Sequence, residues 1–230
     1  YSRSMCWPIK FLHKQLIYSY ATSLLETQSH IFLLEVKSGL FSNASKRGAI
    51  KSLKSNIRDT IGYAFEQLTR TENYIKTNPS PSFYNEREAI IIDSTKTIIK
   101  IAVPFASIIG ITNQLYELGQ AGILASQQDF PLSVSIFDLM VISEIFENDE
   151  KGFTEYVKAR ILLYQEEGFK IDNELDFLGL YLSRDYRKAM KVYRREKVFT
   201  VNTEYKSKIS NYFDAKFLGI TYKMPKKIEG

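Results

Sequence analysis

The sequence predicts an α/β (α+β) chain in which a mixed sheet is flanked by helices and followed by a mainly helical C-terminal region. Three observations predict it: a pair of short apolar segments near residue 30, a long stretch with helical periodicity after residue 50, and two β-branched runs before residue 105. After residue 105, segments with helical periodicity dominate. We therefore expect a core over residues 1–105 and a helical region over residues 106–230 packed on it, and the two parts can share one hydrophobic core.

The first two strands are predicted as a hairpin. Ser23–Glu26 and the apolar segment His30–Lys37 are separated by three polar residues, and Ser38-Gly39 closes the second segment. Upstream, Ile9–Tyr20 fits either a short helix or a helix that runs into a strand.

A long helix is predicted next, because apolar residues recur at steps of three, four and seven: Ile50, Leu53, Ile57, Ile61, Ala64, Leu68 and Ile75. Asn78-Pro79-Ser80-Pro81 ends it, since proline cannot continue helical hydrogen bonding. The β-branched runs Ala89–Ile92 and Thr97–Val103 are predicted as buried strands of the same sheet, and Pro104 ends the second run.

Five further helices and one short strand are predicted after residue 105. Pro131–Ser135 is the segment that predicts the strand. The helices are expected near Thr112–Leu124, Phe137–Phe146, Phe153–Glu167, Asn173–Tyr193 and Lys206–Phe217.

Composition narrows the class of protein. Hydrophobic residues make up 44% and charged residues 25%, as in ordinary globular proteins. A net charge of +5 favours polyanionic partners. Cys6 is the only cysteine, so the chain can form neither an intrachain disulfide nor a cysteine-based zinc site, which is typical of a reducing cytoplasm. No apolar run reaches the roughly 18 residues that span a bilayer, so we expect no membrane partner.

The N-terminus predicts that residues are missing upstream. The chain starts at Tyr1 without an initiating methionine, and the basic-then-apolar layout of a signal peptide is absent. A fragment or a processed form is therefore expected.

The motif that carries chemistry is an acidic residue and a lysine, one residue apart, at the end of an apolar strand. Alternate side chains of a strand share a face, so Glu35 and Lys37 are expected to project together while Val36 turns into the core. A carboxylate there can hold Mg²⁺ with the main-chain carbonyl of Val36, and the ammonium can orient or deprotonate an attacking water. These are the requirements of phosphodiester hydrolysis; the alternative is a surface ion pair at a strand end.

The segment Leu33-Leu-Glu-Val-Lys-Ser-Gly39 resembles the E-x-K half of the active-site motif of the PD-(D/E)xK nuclease superfamily, near its nuclease-related and restriction-endonuclease-like branches. The resemblance covers about residues 20–105. It implies a restriction-endonuclease-like mixed sheet, Mg²⁺ or Mn²⁺ as cofactor and DNA as substrate. It also implies a site role for Gln67 in Ala64-Phe-Glu-Gln-Leu-Thr-Arg70, since members often place a glutamine on this helix; a solvated helix residue is the alternative.

The resemblance assigns a role to each residue: Glu35 and the Val36 carbonyl bind the metal, Lys37 positions water and Gln67 orients the site. Farther along, Phe130–Leu139, Tyr156–Arg160 and Asp172–Gly179 are similar to the helical region of large bacterial proteins that carry such a domain. The implied setting is a bacterial DNA-processing or phage-defence system.

One acid of the family pattern is missing. The family has an aspartate at the start of the preceding strand, about a dozen residues before the glutamate, and Thr22 or Ser23 stands there. Glu26 is the nearest carboxylate. Two readings follow: a Mg²⁺-dependent DNA endonuclease, or a catalytically degenerate nuclease fold that keeps DNA binding. Whether Thr22 is natural or an engineered substitution stays open.

Two groups of basic residues are predicted to face DNA phosphates, with solvated helix faces as the alternative. The first group lies along the long helix, and the second is denser and has Tyr186 and Tyr193 within it. They are Arg47, Lys51, Lys54 and Arg58, and Arg184, Arg187, Lys188, Lys191, Arg194 and Arg195. A third reading is an interaction module whose helical half docks a partner protein or a second copy of the chain.

Overall fold

Three antiparallel strands open the fold of the chain, seen here in a computed structural model. They are β1 (Leu16–Tyr18), β2 (Thr22–Glu26) and β3 (His30–Lys37). The predicted hairpin is confirmed, and a hydrogen bond from Thr27 N to His30 O closes its turn at 2.9 Å. The residues described are 16–18, 22–39, 42–84, 89–105, 115–124, 129–164 and 166–226. Most of Ile9–Tyr20 lies outside them, and its described part is the strand β1.

The predicted long helix is confirmed and runs without interruption from residue 50 to residue 77. After the short helix α1 (Asn43–Lys46), it consists of α2 (Ile50–Ile57), a π-helical turn (Arg58–Gly62) and α3 (Tyr63–Thr77). It ends where Asn78 becomes extended before Pro79.

The prediction for Ala89–Ile92 is wrong in its partner and its burial. β5 (Ala89–Ile91) pairs antiparallel with β4 (Ser82–Tyr84) in a separate two-stranded sheet, and Ile91 is 68% exposed. Its β-branched residues therefore form an outer hairpin, and only Ile92, just after the strand, is buried. β-branched composition predicts a strand but does not specify the strand with which it pairs.

The second β-branched run does join the main sheet. β6 (Thr97–Pro104) lies parallel to β3 over eight paired positions, from His30 beside Thr97 to Lys37 beside Pro104. β7 (Leu132–Ser133), predicted as a strand within Pro131–Ser135, pairs parallel with β6 and continues the sheet beyond residue 105. The strand order is β1-β2-β3-β6-β7.

The rest of the described chain is mainly helical, as predicted. Asn173–Tyr193 is not one helix, because Ser183 is extended (ψ 164°) and divides it into α7 and α8. None of the described helices combines the length and apolarity that crossing a membrane requires. The elements are α4 (Leu115–Gln120), α5 (Ile136–Ile145), α6 (Glu150–Leu163), β8 (Phe169–Lys170), α7 (Glu174–Leu182), α8 (Asp185–Glu196), β9 (Phe199–Thr200) and α9 (Ser207–Phe217).

The main sheet is buried on both faces. On one face, residues of β2, β3 and β6 pack against α3: Leu24, Ile31, Leu33, Ala102, Ala64, Leu68 and Ile75. On the other face, alternate residues such as Phe32, Leu34 and Ile101 belong to a larger buried cluster that includes residues of α5, α6 and α7. This larger cluster joins residues from before and after residue 105.

A buried ion pair connects two of the C-terminal helices. Arg160 Nε in α6 lies 2.9 Å from Glu174 Oε2 at the start of α7, and both side chains are nearly inaccessible. Tyr156 donates its hydroxyl to Glu174 Oε1 at 2.5 Å, and the Arg160 guanidinium lies 4.2 Å from the centroid of the Tyr164 ring. Burial, the nearby Glu174 charge and this hydrogen bond hold the pKa of Tyr156 well above its usual value. The pair therefore fixes α6 against α7.

Glu174→Ala is expected to lower the free energy of unfolding by about 3–5 kcal/mol, because it leaves the buried Arg160 guanidinium without its carboxylate. Urea denaturation of the purified variants measures this change. Glu196→Ala is the control, since it breaks the exposed pair with Arg195 and should change stability by about 1 kcal/mol or less. Equal effects of the two substitutions would contradict a structural role for the buried pair.

Candidate active site

Thr22, Glu35 and Lys37 meet at one end of the sheet. The antiparallel register places Thr22 directly opposite Glu35. The Thr22 hydroxyl donates to Glu35 Oε2 at 2.7 Å, and Lys37 Nζ lies 2.6 Å from Glu35 Oε1. Each oxygen of this carboxylate therefore has a protein partner on the same face of the sheet.

The burial of β3 differs from the prediction for Val36. Glu35 is 1% exposed, whereas Val36 is 37% exposed and does not turn into the core. Alternation is preserved, because Glu35 and Lys37 do share a face. The opposite face is buried as far as Leu34, and Val36 lies beyond that point, beside Val103 of β6. The Glu35 carboxylate therefore lies in the protein interior, and Val36 lies at the edge of the buried region.

The long helix begins to cover this site at Tyr63. Lys37 Nζ lies 4.4 Å from the centroid of the Tyr63 ring, which is close enough for a cation–π interaction. The π-helical turn immediately precedes Tyr63. A Cβ at Gly39 would meet the Thr60 methyl group at 2.9 Å, so the close approach of the chain after β3 to this turn favours glycine there. Tyr63 was not predicted as a site residue from the sequence, although it lies one turn before Gln67.

Gln67 is half-buried in α3, one turn beyond Tyr63 and on the same side of the helix. The helix α3 packs on β3. Among the described residues, no side-chain hydrogen bond joins Gln67 to Glu35 or Lys37. Its main-chain oxygen accepts a bond from the Thr71 hydroxyl at 3.0 Å.

Glu26 is the only carboxylate of β2, and it lies away from the site. It stands at the other end of β2, where Lys96 Nζ is 2.8 Å from its Oε1. Within the described parts of the chain, no three His, Cys, Asp or Glu side chains form a group that can hold a metal ion. Glu35 is buried and bonded at both oxygens, so the side chains around it do not fit a magnesium site as they stand.

A second charged group, with Lys100 and Glu72 buried at its centre, lies on the same face of the sheet. Lys100 of β6 is two residues before Ala102, which pairs with Glu35. Lys100 Nζ lies 2.7 Å from Glu72 Oε2 in α3 and 2.5 Å from Asp129 Oδ2, and Lys76 bonds the other oxygen of Glu72. Burial raises the pKa of Glu72, but hydrogen bonds from Lys100 and Lys76 outweigh it and hold the pKa below its usual value.

The ten predicted DNA-facing residues are exposed, but Arg47 does not lie on the long helix, because it caps the C-terminus of α1. The other nine lie on or beside two separate helices. Lys51, Lys54 and Arg58 follow helical spacing on one side of the segment that leads to Tyr63. The other group lies on or beside α8, where Arg195 pairs with Glu196.

The two tyrosines within the second basic group face the interior. Tyr193 is buried and donates its hydroxyl to Glu166, and the Tyr186 ring packs against Tyr181 with 5.1 Å between centroids. They are therefore packing residues, and the basic face of α8 presents charge without aromatic side chains.

Comparisons with protein-family models, with curated proteins and with solved structures found no match to this chain.

Glu72→Gln is expected to make stability less sensitive to acid. Because the folded-state pKa of Glu72 is lowered, its contribution is complete above its unfolded value of about 4.5 and is lost as the pH falls below that value. Between about pH 6 and about pH 3, the wild type should lose more of its free energy of unfolding than the variant does in urea denaturation. Glu66→Gln is the control, because Glu66 is an exposed residue paired with Arg70 at 3.6 Å. Identical pH profiles for the wild type and Glu72→Gln would refute the assignment.

Proposed function

We propose that the chain is a DNA-binding module built on a catalytically degenerate nuclease site of the PD-(D/E)xK type. The observation that carries the proposal is the position of Thr22. It is the first residue of β2, faces Glu35 across the strands and donates a hydrogen bond to it at 2.7 Å. This is where the family resemblance expects an aspartate.

The exchange of acid for hydroxyl changes what the site can bind. A metal site of this kind uses one or two carboxylates plus substrate phosphates. Here the single carboxylate is neutralised by Lys37 and hydrogen-bonded by Thr22, so a cation would have to displace both partners. We therefore assign Thr22, Glu35 and Lys37 a structural role in the module and no role in metal-dependent hydrolysis.

Affinity for DNA is assigned to the exposed basic residues. Lys51, Lys54 and Arg58 form a positive strip on the helix that continues into Tyr63 at the site, and a net charge of +5 supports a polyanionic partner. Lysine and arginine side chains on such a surface contact the phosphates and not the bases, so we expect binding to DNA without sequence preference. A lone cysteine and a DNA partner both suit a cytoplasmic protein of a bacterial DNA-processing or phage-defence system.

A second candidate is an active Mg²⁺- or Mn²⁺-dependent DNA endonuclease. One observation favours it: Glu35 and Lys37 share a face at the end of β3, the arrangement that the E-x-K motif requires. In that reading Lys37 would orient the attacking water, and Gln67 would line the site from α3.

Thr22→Asp is expected to create metal-dependent cleavage of supercoiled plasmid or single-stranded DNA, because it restores the second carboxylate beside Glu35. The wild type should show none. Adding Lys37→Ala to Thr22→Asp should reduce the new activity by about 100-fold or more. Gel assays with Mg²⁺ or Mn²⁺, and with chelator as the blank, measure these rates.

Circular dichroism must show that each variant is folded. Cleavage by the wild type that Lys37→Ala abolishes would select the active endonuclease instead. A folded Thr22→Asp variant that binds DNA without cutting it would sink the nuclease interpretation of the site. If no form cuts or binds DNA at low salt, an interaction module remains.

Removing the basic strip is expected to weaken DNA binding and its dependence on salt. Each phosphate contact contributes about 0.9 to the slope of log K against log salt, so Lys51→Ala/Lys54→Ala/Arg58→Ala should reduce the slope by about 2–3. Fluorescence anisotropy with a labelled duplex at several salt concentrations measures it. The control with the same change in charge is Lys158→Ala/Lys170→Ala/Lys216→Ala, whose lysines are exposed on other elements. Equal losses in both triple variants would mean that net charge alone governs binding.

A further inference from the structure

A cleft of about 550 Å³ lies in the C-terminal region, away from Glu35. It is formed by the end of α7, the start of α9 and the extended segment after α9. Its lining residues are Gly179, Leu182, Ser183, Lys208, Ile209 and residues 222–226. The volume is within the range of about 300–1,000 Å³ that is usual for small-ligand sites.

The charged residues that line this cleft are all positive. Lys208, Lys223 and Lys226 line it and are exposed, and no carboxylate is among the described residues that line it. Within the part of the chain that the structure describes, none of the three forms a salt bridge. Three ammonium groups around one cleft repel one another, and a bound anion relieves that repulsion.

The wall of the cleft is apolar. Leu182 and Ile209 are 4% and 1% exposed, and Met224 and Pro225 lie beside them. Tyr222 also lines the cleft and is 43% exposed, so its ring is accessible to an aromatic ligand. The cleft thus combines an apolar surface and an aromatic ring with cations, which suits a ligand with a flat apolar body and a phosphate.

We propose that this cleft binds a nucleotide, with the phosphate at the lysines and the base against Tyr222 and Met224. The inference goes beyond the DNA-binding strip and depends on none of its residues. The nucleotide has two sources, a free mononucleotide or one unit of a single strand. A neighbouring cleft of about 650 Å³ shares Leu182, Ser183, Met224 and Lys226 with this one, but Glu147, Asp149 and Glu155 also line it, so its charge is mixed and suits a strand less well.

Isothermal titration of the intact chain with four probes tests the proposal: inorganic phosphate, adenosine, adenosine 5′-monophosphate and a short oligodeoxyadenylate. The monophosphate or the oligonucleotide should bind at least about tenfold more tightly than phosphate or adenosine, since only they use both the cations and the apolar wall. Tighter binding of the oligonucleotide assigns the cleft to a strand, and equal binding assigns it to a free nucleotide.

The variants identify the site of binding. Lys208→Ala/Lys223→Ala should raise the dissociation constant about tenfold or more, because charge-assisted contacts to phosphate are lost. Lys158→Ala/Lys170→Ala, with the same change in charge, should leave it unchanged, and Tyr222→Ala should weaken the nucleotide but not phosphate. The proposal is overturned if no probe binds, if phosphate binds as tightly as the monophosphate, or if both double variants behave alike. Lys51→Ala/Lys54→Ala/Arg58→Ala should not alter mononucleotide binding, so failure here is distinct from failure of the DNA-binding proposal.

Discussion

Strand β3 is hydrogen-bonded on both of its edges, antiparallel to β2 and parallel to β6, and the remaining architecture follows from that pairing. A parallel neighbour cannot be reached by a tight turn, so the chain must cross over one face of the sheet. The long helix over residues 50–77 supplies part of this crossover and covers the face that carries Glu35. The same pairing sets Thr22 opposite Glu35, so the geometry of the site is a consequence of how the sheet is assembled.

Local sequence patterns were enough to predict three parts of the fold. The hairpin, the long helix and β6 follow from alternation, helical spacing and β-branched runs, all of which act within a few residues. For Ala89–Ile91, local patterns predicted the strand but not its partner. Its sequence is typical of a strand, but the pattern does not specify the partner, which is the preceding strand β4 and not the main sheet.

In the candidate site, too, only the features that depend on local sequence could be predicted. The spacing of Glu35 and Lys37 fixes their common face, but alternation does not reveal where the core ends along the strand, so the burial of Glu35 and the exposure of Val36 were not foreseen. Tyr63 reaches Lys37 only through the packing of α3 on β3, and Lys100 meets Glu72 and Asp129 through contacts between distant segments. Such contacts leave no signal in a short stretch of sequence.

Three of the four buried carboxylates in the described part of the chain are paired with a cation of the protein, and the fourth, Asp176, accepts a hydrogen bond from Lys206 N at 3.3 Å. Glu35 has Lys37, Glu72 has Lys100 and Lys76, and Glu174 has Arg160. An aspartate in place of Thr22 would put a second negative charge where the hydroxyl now donates a bond at 2.7 Å, and Lys37 alone would not balance two carboxylates. Such a pair must share a proton or bind a cation. Thr22 removes that demand, because its hydroxyl donates a hydrogen bond to Glu35 without adding charge.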